Sequence, residues 1–195
     1  MVRGVTRMLV LAVLMALLGA GCGDDGGSER TGGNGTDRAF VAAMVPHHES
    51  AVEMARIARK RSESSFVRDL ARDIVTAQTR EIAALRREDE ALRAAGVEAG
   101  SLGVPEDMMG MSGDVAALSS AEPFDRAFVT MMIPHHQGAI DMAKVELARG
   151  RDPQLKALAR DIVDAQRREI ASMRKHAGAS GGQMQPDGHG AGHPG

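Results

Sequence analysis

The sequence MMIPHHQGAIDM at residues 131–142 repeats an earlier stretch, AMVPHHESAVEM, at residues 43–54. Each position of the later copy lies 88 residues after its match, as 131 does after 43. The same offset relates DRAFV at 37–41 to 125–129, LARDIV at 70–75 to 158–163, and REIA at 80–83 to 168–171. Ungapped identity at one fixed offset indicates a single supersecondary unit that is used twice. Functional groups should therefore be sought in both copies.

The repeated motif has the periodicity of a helix. Thr36 is expected to cap this helix, and Met44, His47 and His48 recur on one of its faces together with aliphatic residues. The histidines are therefore predicted to point into the core. Pro46 lies inside the pattern, so we expect either a kink at Pro46 or a helix that begins afresh there.

A second helix follows in each copy. Ser64 begins it in the first copy, and Asp152 followed by Pro153 begins it in the second. The apolar stripe of this helix carries a glutamine and, three residues later, a glutamate: Gln78 and Glu81, then Gln166 and Glu169. A carboxylate buried without a partner would be strongly destabilising, so the histidines of the facing helix are its candidate partners.

Short turns within each copy predict two antiparallel helical hairpins, at residues 37–95 and 125–177. The segment 96–124 is rich in Gly, Ser and Pro and joins the hairpins, with one short helical turn expected near residues 115–118. The sequence therefore predicts an all-α domain over residues 37–177, a four-helix bundle built from two tandem αα-hairpin repeats.

The chain begins with a pattern typical of exported lipoproteins. Two arginines precede an apolar run, and small residues precede Cys22, the only cysteine. Residues 1–21 are predicted to be a signal peptide and Cys22 to be lipidated; the alternative is a free thiol in an ordinary leader. Residues 22–36 are expected to form a flexible tether, and residues 178–195, rich in glycine, a disordered tail. The protein is expected to be lipid-anchored on the outer face of the membrane, or periplasmic or extracellular.

Composition narrows the class of function. The net charge of −2 and the lack of a basic stripe argue against nucleic-acid binding. Aromatic residues make up only 2% of the chain whereas methionine occurs 13 times, so methionine and aliphatic side chains must fill the core.

The pattern Met-[Val/Ile]-Pro-His-His, followed by Ala-[Val/Ile]-[Glu/Asp]-Met-Ala and Ala-Gln-x-x-Glu-Ile, resembles the secreted bacterial family DUF305. The resemblance covers about residues 37–176. It implies a ferritin-like helical bundle of two αα repeats, with copper binding in at least one member and no general activity established for the family.

Each copy also places a thioether one helical turn before two imidazoles. Thioether favours Cu(I), imidazole suits both copper oxidation states, and methionine is not an ordinary zinc ligand. Together with the resemblance, this predicts an extracytoplasmic copper-binding protein for buffering, resistance or delivery, with Cu(I) favoured and Cu(II) possible. The predicted ligands are Met44, His47, His48, Met132, His135 and His136. The accessory candidates are Met54, Met142, Met108, Met109 and Met111. The imidazoles would be oriented by Gln78, Glu81, Gln166 and Glu169.

Two other interpretations compete with copper binding, and the first of them stays open. Methionine often only fills a core, and the histidines could form a hydrogen-bonded layer with the Gln and Glu side chains, in a non-catalytic interaction module at the cell surface. A di-iron oxidase would need Glu-x-x-His pairs. The chain offers Gln-x-x-Glu, and Glu53 and Asp141 point away from the core, so no enzyme activity is predicted.

Overall fold

The computed structural model describes residues 32–111 and 113–181 of the chain. Within these ranges the protein is all-α, as predicted, and contains no strand. The elements in chain order are α1 (Gly35–Arg61), α2 (Ser65–Ala94), a 3₁₀ turn (Glu106–Met109), α3 (Val115–Leu118), α4 (Phe124–Arg149) and α5 (Pro153–Gly181). No described helix is long and apolar enough to cross a membrane. The predictions for the leader, for Cys22, for the tether before residue 32 and for the tail after residue 181 lie outside the described residues.

Side-chain caps fix where the long helices begin. Ser64 and Asp152 each accept backbone N–H groups of the turn that follows, as predicted for the starts of α2 and α5. The expected cap of α1 was wrong. Asn34 caps this helix instead of Thr36, and its side-chain oxygen accepts the N–H of Thr36 at 2.8 Å. Asparagine caps at least as well as threonine, and Asn34 has the extended backbone that a cap requires.

The long helices are continuous at positions where the sequence suggested a break or an end. Both α1 and α4 are continuous through their prolines, Pro46 and Pro134. α5 passes the predicted end near residue 177 and continues to Gly181. Residues 178–181 are therefore helical rather than part of the tail. The alanines around Gly178 are strong helix formers, and one glycine disfavours a helix by only about 1 kcal/mol.

The long helices pack as two hairpins. α1 packs against α2 and α4 packs against α5, while α1 contacts α4 and α2 contacts α5. Repeat-related side chains fill the interior together, among them the fully buried Phe40 and Phe128 and the fully buried pair Ile74 and Ile162. α3, at the position where the sequence predicted a short turn, packs against α1 and α4.

The two hairpins cap one another. Asp37, in the first turn of α1, accepts the N–H groups of Arg151 at 3.0 Å and Asp152 at 2.9 Å, in the turn between α4 and α5. Asp125, its repeat counterpart at the start of α4, accepts the N–H of Ser64 at 3.3 Å, in the turn between α1 and α2. Each hairpin therefore satisfies backbone donors of the other, which fixes how the two histidine motifs meet.

The contact at Asp37 includes a second acidic side chain, which the equivalent contact at Asp125 lacks. Glu146 of α4 is fully buried beneath the turn at Gly150. Burial, and then the hydrogen bond and charge of Asp37, raise the pKa of Glu146 from 4.5 to about 8. Burial also acts to raise the pKa of Asp37, but the backbone N–H groups that it accepts, together with the hydrogen bond of Glu146, outweigh burial and lower this pKa. At neutral pH Glu146 therefore carries the proton and Asp37 the charge.

This pair predicts a stability that falls toward alkaline pH. The folded protein holds a proton on Glu146 that the unfolded chain releases above about 4.5, so the free energy of unfolding should fall as the pH rises from there to about 8. The loss is at most about 1.4 kcal/mol per pH unit. Glu146→Gln keeps a donor beside Asp37 and removes the titration.

Urea unfolding of both proteins between about pH 5 and pH 8 measures this effect. The advantage of Glu146→Gln over the wild type should grow with pH, because the other groups titrate alike in both proteins and cancel in the difference. A difference that stays constant across this range would contradict the assignment of the proton.

Candidate metal centre

Two histidine pairs meet where α1 faces α4. His47 and His48 lie on α1, His135 and His136 lie on α4, and all four side chains are buried. The ring centroids of His47 and His135 are 3.8 Å apart, across the interface between the helices. Those of His47 and His48 are 6.2 Å apart, and those of His135 and His136 are 6.4 Å apart. We call this line of rings, in the order His48, His47, His135, His136, the imidazole row.

A carboxylate holds each end of the row. Glu81 of α2 places Oε2 2.7 Å from Nε2 of His48. Glu169 of α5 accepts a hydrogen bond from Nε2 of His136 at 2.6 Å. A carboxylate at Nε2 favours the tautomer with its proton on that atom, which leaves a lone pair on Nδ1. Both glutamates therefore contact an imidazole of the facing helix, and their role in orienting metal ligands stays a prediction.

The centre of the row is less symmetric. Nε2 of His47 lies 2.9 Å from the carbonyl oxygen of Met109, in the 3₁₀ turn, and donates its proton there. His135, the repeat counterpart of His47, has no hydrogen-bond partner on either ring nitrogen within the described residues. The segment between the hairpins thus supplies a hydrogen-bond acceptor to one central imidazole and none to the other.

Close backbone contact holds that segment on the row. A side-chain carbon added to Gly138 of α4 would overlap the carbonyl oxygen of Met109, and one added to Gly110 would overlap the carbonyl oxygen of Pro134. Gly110 also has a φ of 72°, which disfavours other residues. The first copy has Ser50 where the second has Gly138, so the repeat accommodates the segment on one side only.

Several buried ring nitrogens lack a protein partner. In the described part of the chain these are Nδ1 of His47, His48 and His136, and both nitrogens of His135. A buried polar atom left without a hydrogen bond costs about 1–3 kcal/mol. A layer that served only to hold the fold would leave this cost unrecovered. A metal ion that accepted these lone pairs would remove it.

The central imidazoles stay neutral over the physiological pH range. Burial, followed by the charge of His48, lowers the pKa of His47 from 6.5 to about 3. Burial, followed by the charge of His47, lowers the pKa of His135 to about 2. Neutral imidazole is the form that binds metal ions, so protons do not compete for these nitrogens at neutral pH.

The predicted thioethers lie at several depths. Met44 and Met132, one turn before the histidine pairs, are fully buried, as are Met54 and Met142. Met109 is partly buried against the core. The other two methionines of the segment between the hairpins, Met108 and Met111, are 54% and 41% exposed. The structure therefore separates the predicted accessory ligands into buried and exposed sets.

Met111 and Met54 line the same small gap beside His135, together with Met131. The sequence reasoning did not select Met131, because its counterpart in the first copy is Ala43 and the search relied on what the two copies share. Its position directly before Met132 was the available signal.

The remaining polar residues of the predicted layer are buried but poorly bonded. Oε1 of Gln78 and both terminal atoms of the Gln166 amide have no hydrogen-bond partner among the described residues. Protein atoms alone therefore do not complete a hydrogen-bonded His, Gln and Glu layer among the described residues.

The donor set decides which metals fit. In the described ranges, no group of three or more His, Cys, Asp and Glu side chains is placed to hold one ion. The predicted ligand set instead combines imidazoles with thioethers. This mixture of soft and intermediate ligands fits copper and does not fit zinc, calcium or magnesium.

Solved structures with similar folds include copper-bound ones. CopM in its Cu(I)-bound form is 31% identical, with a TM-score of 0.63 over 74% of this chain and 96% of that one. CopM in its Cu(II)-bound form is 32% identical, with a TM-score of 0.64 over 74% of this chain and 97% of that one. A DUF305 fragment from Deinococcus radiodurans is 34% identical, with a TM-score of 0.65 over 76% of this chain and 99% of that one.

Two further comparisons concern sequence and family. An uncharacterized protein of Acanthamoeba polyphaga mimivirus is 45% identical over 49 residues, which are 25% of this chain and 32% of that protein. The chain thus spans about a third of the length of that curated relative. The family DUF305, described as a domain of unknown function, matches residues 37–177. These residues carry both histidine motifs and most of the four long helices, and the chain belongs to the DUF305 family.

Proposed function

We propose that this protein binds copper outside the cytoplasm, for buffering, resistance or delivery, and does so without catalytic turnover. Its ligands are drawn from both copies of the motif: Met44, His47, His48, Met132, His135 and His136. The observation that carries the proposal is the set of buried ring nitrogens without a protein partner in the imidazole row. The likeness to CopM, whose copper-bound forms are solved, supports the choice of metal.

The proposal includes an architecture and a location. The four long helices form a ferritin-like four-helix bundle derived from two tandem αα-hairpin repeats. The mature protein is exported and held at the membrane by a lipid on Cys22. A DUF305 protein of Streptomyces coelicolor that is named as secreted, 29% identical with a TM-score of 0.65, supports export.

The chain's own residues prepare the site before any ion arrives. Glu81 and Glu169 hold His48 and His136 with Nε2 at the carboxylate, so that Nδ1 is free for the ion. Burial keeps the central imidazoles neutral, and the thioethers are uncharged at every pH. A neutral ligand set of nitrogen and sulfur stabilises Cu(I) in particular.

A titration with Cu(I) under a competing chelator tests the proposal, with Cu(II) and Zn(II) alongside. Short His- and Met-containing tails bind metals nonspecifically, so a matched protein should carry Met184→Leu, His189→Ala and His193→Ala. We expect this protein to keep tight Cu(I) binding and lose only some stoichiometry. Zinc should bind more weakly than copper. Loss of all tight Cu(I) binding in the tail-substituted protein would contradict the proposal.

One observation favours a second candidate function. The contacts of His48 with Glu81 and of His136 with Glu169 also stabilise a buried polar layer without any metal. In that case the protein is a non-catalytic interaction module at the cell surface. The same titration separates the two functions, because the module binds no copper in the tail-substituted form.

A further inference from the structure

The two halves of the imidazole row differ in what surrounds their central rings. Nε2 of His47 donates a hydrogen bond to the carbonyl oxygen of Met109 at 2.9 Å. His135 is 2% exposed and has two ring nitrogens without a partner among the described residues. The repeat alone would make the two rings equivalent, so the segment between the hairpins creates the difference.

The ring of His135, which has no hydrogen-bond partner among the described residues, borders a gap lined by methionines. Three methionines from three different elements line it beside His135: Met54 of α1, Met131 of α4 and Met111 of the segment between the hairpins. Met54 is buried, Met131 is partly buried, and Met111 is 41% exposed. The methionines at this gap thus range from buried Met54 to exposed Met111.

The first copy lacks one of these methionines. The counterpart of Met131 is Ala43, which offers no sulfur beside His47. Met131 also packs closely against Gly113, where an added side-chain carbon would lie 2.8 Å from its Cγ. A backbone without a side chain thus holds Met131 at the edge of the gap.

Resting on the proposed function, we propose that Met54, Met111, Met131 and His135 form a separate binding site for a soft monovalent cation, Cu(I) or Ag(I). This site is peripheral to the two buried histidine motifs and uses one of their imidazoles. It receives the ion at the surface, through the exposed thioether of Met111.

The chemistry of the four groups selects the charge of the ion. Three thioethers and a neutral imidazole carry no negative charge to offset that of a cation. The cost of transferring an ion from water grows with the square of its charge, so a divalent ion is disfavoured far more than a monovalent one. Thioether sulfur is also a soft ligand that selects Cu(I), and Ag(I) shares its charge and softness.

Silver titration of the full chain labelled with ¹³C in the methionine methyl groups tests the site, since Ag(I) has no competing redox chemistry. Single Met→Leu variants assign the signals. We expect the methyl resonances of Met54, Met111 and Met131 to shift together, and Met131→Leu to weaken Ag(I) binding about tenfold or more. Met173→Leu is the matched control, because Met173 of α5 is buried, does not line the gap and is not among the predicted ligands.

The outcomes separate this site from the proposed function. Silver and Cu(I) binding that leaves the three methyl groups unmoved, or that survives Met131→Leu and Met111→Leu unchanged, overturns the site and leaves the proposed function standing. No binding of either ion by the wild-type protein overturns both. Leucine and methionine have similar volumes, so melting of the metal-free variants should match the wild type.

Discussion

Replacing Gly138 by alanine is expected to lower the free energy of unfolding by about 2 kcal/mol, although alanine is ordinarily the better helix former. Gly138 lies inside α4, where the added carbon would overlap the carbonyl oxygen of Met109. The segment between the hairpins must then move away from α4. That movement also takes the carbonyl oxygen of Met109 away from Nε2 of His47, so the variant should lose the hydrogen bond between these two groups.

Gly178→Ala is the matched control for this prediction. Gly178 lies in α5, and a side-chain carbon added there meets nothing within 4 Å. This substitution should stabilise the protein by up to about 1 kcal/mol, the ordinary gain of alanine over glycine in a helix. Urea unfolding of the two variants measures both effects. Equal stabilisation by both alanines would show that the segment does not pack on α4 at Gly138.

Replacing His47 and His135 together by leucine should weaken Cu(I) binding by about 100-fold or more, because both central imidazoles of the row are removed. The metal-free protein should stay within about 1 kcal/mol of the wild type. Leucine removes buried nitrogens that have no partner, and this gain offsets the hydrogen bond that His47 makes with Met109. Affinity lost without stability lost is the signature of a binding site rather than a structural layer.

His176→Leu serves as the control for this pair. His176 lies on α5 and stacks on Phe66 at a centroid distance of 4.3 Å, away from the row. Its replacement should leave Cu(I) affinity unchanged, as measured by competition with a chelator of known affinity. The structural alternative requires the opposite pattern for His47 and His135, with a large loss of stability and no copper affinity to lose.

Much of the helical framework could be predicted because it depends on local signals. Ser64 and Asp152 are strong caps with apolar periodicity behind them, and the short helix at Val115–Leu118 follows a capping Asp114. The burial of both histidine pairs followed from their place on the apolar face of each helix. The family could be recognised because its motif occurs twice, and the match over residues 37–177 confirms it.

The features that escaped prediction are those in which the two copies differ. Glu146 replaces Ala58, Gly138 replaces Ser50, and Met131 replaces Ala43. Reasoning from the repeat emphasises what is shared, so it passed over each of these positions. Their roles depend on contacts with a segment that occurs once in the chain, or with a turn of the other hairpin, and such contacts have no periodicity to detect.

The most direct test of the central claim is an X-ray absorption spectrum at the copper edge of the Cu(I)-loaded, tail-substituted protein. The account predicts a mixed set of sulfur and imidazole ligands around copper, with the imidazole scattering reduced in the His47→Leu, His135→Leu protein. A ligand set without sulfur, or a spectrum that those two substitutions leave unchanged, would contradict it.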